Sequence, residues 1–111
     1  MDNTTGTLLN PAQREAAAAT WQAYNAMETT KQRHFNVLQL LDNKKKRYNL
    51  DPTEADTQLL KALLADHDDQ VKRFTAESLL LKQNNADAHR ALFAYIGYLG
   101  EVLADVPDHN A

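Results

Sequence analysis

The chain has 111 residues, 43% hydrophobic and 24% charged, the make-up of one globular domain of common size. Cysteine is absent, which excludes a disulfide framework, a thiolate metal site and thiol redox chemistry. A net charge of −3, with four histidines counted neutral, gives no pull toward nucleic acid or an anionic membrane, so the expected partners are proteins.

Three glycines and three prolines, among long runs rich in Ala, Leu, Gln, Glu and Lys, favour helices over strands. Met1 to Leu9 lacks the positive charge and apolar run of a secretory signal and reads as a flexible tail. The first helix is expected from Pro11 to about Arg47. Asn10 stands at its N-cap, Pro11 at the first helical position, where a missing N–H costs nothing, and Gln13 three residues on. Its apolar face is broad: Ala16, Thr20, Ala23, Tyr24, Met27, Thr30, His34, Val37, Leu38, Leu41 and Tyr48, flanked by Ala17, Lys31 and Phe35.

Asp51-Pro52-Thr53-Glu54 repeats the Asn10-Pro11-Ala12-Gln13 signal, which predicts a second helix from Pro52, capped by Asp51, to about Gln83. Its stripe is narrower: Leu60, Leu63, Leu64, His67, Val71, Phe74, Ser78 and Leu81. Asn84-Asn85 stops it and restarts a third helix over about Ala86 to Asp105. That helix is apolar around most of its circumference and is expected to be the most buried. Gly97 and Gly100 within it suggest close approach by another backbone or a broken end. Pro107 closes the domain and residues 107–111 form a second tail. The apolar window Ala86 to Ala104 carries Asp87, His89, Arg90 and Glu101, so no membrane span is expected and a cytoplasmic setting is.

These elements predict an all-α fold over residues 10–106: an antiparallel hairpin of two long helices plus a shorter third, an up-down-up three-helix bundle. The two long helices outrun the third, leaving Leu41, Tyr48, Leu60 and Leu63 uncovered near the first turn. A groove lined by Val37, Leu41, Tyr48, Leu60 and Leu64 is therefore the expected partner site, filled by a second copy in a homodimer or by a helical segment of another protein.

Folding at Tyr48 to Leu50 sets residue i opposite roughly residue 100 minus i, bringing His34 level with His67 at the centre of both stripes. The leading reading is a buried hydrogen-bonded layer of His34 and His67 with Thr30, Gln70 or a Tyr hydroxyl. The alternatives are a pH switch and a metal site built on the two imidazoles, although two ligands do not close a metal site. His89, with Asp87 and Arg90, shares only an Ala-His dipeptide with histidine phosphotransfer proteins, and bulky Phe93 stands one turn on. Lys44-Lys45-Lys46-Arg47 reads as a solvated helix end that complements the dipole. No phosphate loop, nucleophile elbow or paired-carboxylate site stands out, so the expectation is a non-enzyme with no cofactor and no metal.

The pattern also resembles the FliT-type flagellar export chaperones. The likeness is carried by Trp21, Met27-Glu28 and Arg33, then Leu59-Leu60, Leu63-Leu64, Asp66, Asp69, Val71 and Glu77, and finally Ala91 to Tyr95 with Gly97. The resemblance implies a small helical cytoplasmic chaperone. Such a chaperone binds the C-terminal helical segment of the filament-cap protein, and export-apparatus or regulator components, through an amphipathic groove.

Overall fold

The computed structural model of the chain describes residues 9–105. It is all-α: α1 is Pro11–Tyr48, α2 is Glu54–Asn84 and α3 is Ala86–Asp105, with no strand among the described residues. None of these helices is long and apolar enough to cross a membrane. Both expected tails fall mainly outside the described residues. Leu9, assigned to the first tail, is instead buried in the core.

The start of α1 forms a reciprocal capping box. The Gln13 N–H donates to Asn10 Oδ1 at 2.8 Å, and the Asn10 N–H donates to Gln13 Oε1 at 3.0 Å. Its end is set by Asn49, whose φ of 54° is left-handed and whose N–H donates to the Lys45 carbonyl at 3.0 Å. Asn bears that backbone at lower cost than most side-chain-bearing residues.

The start of α2 corrects the sequence reading by two residues. Thr53, not Asp51, is the cap: its hydroxyl accepts the Asp56 N–H at 3.1 Å, and its own N–H donates to Asp56 Oδ2 at 2.9 Å. That Thr53 N–H holds the Asp56 carboxyl below the usual carboxylate range. Two capping frames overlap here. Pro52 biases Asp51 toward extended backbone, and Asp51 accepts a hydrogen bond from Lys45 Nζ at 2.7 Å, so the Thr53 frame wins.

Between α2 and α3 a single residue, Asn85, serves both helices. Its N–H donates to the Leu81 carbonyl at 2.7 Å, its own carbonyl accepts the His89 N–H at 3.0 Å, and its Oδ1 accepts the Ala88 N–H at 3.0 Å.

At 38 residues, α1 is about 57 Å long, close to twice the ~30 Å span of a small domain, and one core cannot line all of it. The chain accordingly divides into two compact units. One comprises the chain through Trp21 together with that from Glu77 onward; the other is Gln22–Ala76. The first draws on all three helices. Leu9, Ala17, Leu81, Ala88, Leu92 and Tyr95 form its core, with Trp21, Ala91, Ile96 and Leu99 packed against it and the Trp21 and Tyr95 rings 5.4 Å apart. There the buried Thr20 hydroxyl donates to the Glu77 carbonyl at 3.2 Å. α3 is less buried than expected, since Phe93 and Tyr98 are exposed. Nor do Gly97 and Gly100 mark a close approach: a Cβ at either would meet nothing within 4 Å, and the helix runs on to Asp105.

The second unit contains only the hairpin of α1 and α2. Thr30 meets His67, and the Tyr24 and Phe74 rings lie 5.7 Å apart, so the helices are antiparallel and residue i faces roughly residue 97 minus i. The shift from the expected register follows from the connection. Residues 51–53 are non-helical, and extended backbone advances about twice as far per residue as helix.

Thr53→Ala should lower stability by about 1 kcal/mol and Asp51→Ala by clearly less, measured by urea unfolding. Gly97→Ala and Gly100→Ala should each raise it, by up to about 1 kcal/mol, because the helix gains propensity and the methyl meets open space. Destabilisation by either alanine would show that these positions are not open.

Candidate interaction surface on the hairpin

The register decides the fate of the expected histidine layer. His67 Nδ1 lies 3.0 Å from Thr30 Oγ1, and that hydroxyl donates to the Met27 carbonyl at 2.9 Å. A hydroxyl has one proton. With it given to Met27, Thr30 receives Nδ1–H from His67, which leaves Nε2 as the free ring nitrogen. His34 lies one turn beyond Thr30 on α1 and faces the level of Leu63 rather than that of His67. No hydrogen bond joins the two histidines among the described residues, so their expected pairing is corrected to Thr30 with His67. Gln70 does not complete the layer either, because its Oε1 accepts a long, exposed hydrogen bond from Arg73 at 3.5 Å. Among the described residues no three His, Asp or Glu side chains converge as metal ligands would.

The expected apolar groove is redistributed. Leu41 is buried at 8% exposure inside the hairpin seam, which removes it from the partner-facing set. Val37, Leu60 and Leu63 are half-buried, because two helices packed at close range already share them. Tyr48 at 67% and Leu64 at 47% remain exposed. The structure adds Phe35 at 50% and, also exposed, Leu38 and Val71. Counted from the Thr30–His67 contact at 3.6 residues per turn, Phe35 and Leu38 on α1 lie on the same side of the seam as Leu64 and Val71 on α2. The signal was present in the sequence as the unusual breadth of the α1 face. Its spacing could not say which flank of that face the second helix would leave open.

The polar surroundings are local. Lys45 pairs with Asp51 at 2.7 Å, Lys46 with Asp42 at 2.9 Å and Lys31 with Glu28 at 3.4 Å. Asp42 holds the Lys46 ammonium above its ordinary pKa. Two of the four charges in the basic run are thus tied to neighbouring carboxylates, not arrayed for phosphate. The Tyr24 phenol is pushed up by burial and, secondarily, by Glu28. In the other unit, His89 is stacked on Phe93 with ring centroids 4.4 Å apart, which covers one face of the imidazole.

No protein-family model matches the chain, and neither a curated protein nor a solved structure does.

Thr30→Val should lower stability by about 1–3 kcal/mol, because it leaves the half-buried His67 Nδ1–H without its acceptor. The double variant Thr30→Val/His67→Leu should recover most of that loss, since neither polar group remains. A double variant no more stable than Thr30→Val in urea unfolding would show that the pair is not the cause.

Proposed function

We propose that the chain is a non-enzymatic protein-binding module whose working surface is the Phe35, Leu38, Leu64 and Val71 face of the Gln22–Ala76 hairpin. The observation that carries the reading is the make-up of that unit: two helices with three buried residues among those described, Ala23, Thr30 and Leu41, and large apolar side chains left in solvent. A single pair of helices cannot enclose both flanks of its apolar stripes, and stable helical layers are completed by further layers. Each exposed Phe or Leu gains up to about 1.5–3 kcal/mol on full burial, so a second layer of helices is strongly favoured.

A second copy of the hairpin supplies such a layer with matching chemistry, giving a homodimer with a four-helix core. A helical segment of another protein supplies it equally in kind. In a chaperone or adaptor the two alternate, the apolar face being held by one until the other arrives. The FliT-like reading belongs to this class and brings with it a cytoplasmic setting. It rests on the resemblance of Trp21, Met27, Leu63, Leu64 and the other residues named with them.

Phe35→Asp and Leu64→Asp should leave the far-UV circular dichroism unchanged and convert the protein to a monomer in sedimentation velocity. Leu41→Asp, at a buried site, should instead lower the melting temperature sharply. If the wild type and both surface variants sediment alike and show the same binding to helical peptide partners, this surface is not the working one.

A further inference from the structure

The unit formed by the two chain ends has a surface feature of its own. A groove of about 380 Å³ is lined by Ala16, Ala19 and Thr20 of α1, by Glu77, Leu80, Leu81 and Asn84 of α2, and by Asn85. Its apolar part is open rather than packed: Ala16 and Ala19 are exposed methyls and Leu80 stands 51% exposed above them. Two of its donors are already committed. The Thr20 hydroxyl is already given to the Glu77 carbonyl, and the Asn85 N–H to the Leu81 carbonyl. The half-buried Glu77 carboxylate carries no hydrogen bond or ion pair among the described residues, and no cation lines the groove.

A floor of methyls, a leucine wall and a carboxylate without an ion-pair partner together specify an occupant with an aliphatic stem and a cationic donor head. We infer that the groove receives an arginine-bearing helical segment of a partner protein. The arginine stem lies on Ala16, Ala19 and Leu80, and the guanidinium pairs with Glu77. Arginine fits better than lysine because its planar fork can satisfy both carboxylate oxygens while its methylenes stay on apolar surface. A second copy docking groove to groove is the poorer occupant, since it would set one Glu77 carboxylate against the other with no lining cation between them. The inference stands on a different unit and on different residues from the hairpin surface, so either can fail without the other.

The test uses the full chain and a synthetic amphipathic helical peptide with an arginine one turn from a leucine, alongside the same peptide with that arginine replaced by glutamine. Fluorescence anisotropy should show the arginine peptide binding. Affinity should fall about tenfold with the glutamine peptide, with Glu77→Gln, and with both changes combined, because all three remove one charge-assisted contact. Amide shifts in the NMR spectrum should centre on Thr20, Glu77 and Leu80, and Ala19→Trp, which fills the groove, should abolish binding. Circular dichroism checks that the variants remain folded. Equal affinity for the two peptides, equal affinity of wild type and Glu77→Gln, or no binding at all overturns the inference. So does a dimer that dissociates with Ala19→Trp, which would make the second copy the occupant.

Discussion

The antiparallel seam between α1 and α2 is the constraint on which the hairpin unit depends, and its register is set by a few backbone contacts at the reversal. Asn49 in left-handed conformation ends α1, and Thr53 and Asp56 cap α2. Together they fix which residue of one helix meets which of the other. One consequence is chemical. A shift of a single helical turn separates a pair of imidazoles from a histidine held by a threonine. The observed pair holds His67 against Thr30 and leaves His34 outside the contact. A second consequence is mechanical, because the same register places Leu41 in the seam and Phe35, Leu38 and Leu64 outside it.

Long helices in a short chain bury little per residue. The unit with three helices builds a recognisable core around Leu92, Tyr95 and Leu81, with Trp21 against Tyr95. The unit with two fully buries only a small Ala23, a hydrogen-bonded Thr30 and one leucine among its described residues. Its polar contact at Thr30 and His67 aligns the helices more than it stabilises them, because the net gain from such a bond is modest while the penalty for breaking one partner is large. A hairpin of this kind is held in register yet incompletely enclosed, which is the physical basis for reading it as a docking element. Ser78 Oγ, buried without a hydrogen-bond partner, is the one buried side-chain polar atom among the described residues left unsatisfied. Such a group is a cost the fold carries.

Ionisable groups contribute locally. Lys45, Lys46 and Lys31 pair with carboxylates at exposed sites, where solvent screens the attraction and the effect on stability is small. At the α1 end they tie two of the four cations, Lys45 and Lys46, to neighbouring carboxylates. The Glu77 carboxylate differs in lacking any such neighbour within its groove.

The sequence by itself determined the helical class, the span of all three helices to within two residues, the Asn10–Gln13 cap and the restart at Asn85. These are local, written in propensity, periodicity and capping groups within one turn of each other. At Thr53 the local code was ambiguous, because two frames overlapped, and a contact from Lys45 favoured one. Only the tertiary structure decided the register, the division into two units, the burial of Leu9 and Leu41, the exposure of Phe35 and the open space around Gly97 and Gly100. Helical periodicity identifies an apolar face but carries no information on its axial offset against another helix. A shift of three residues leaves the composition of each stripe intact while changing every pair across the seam.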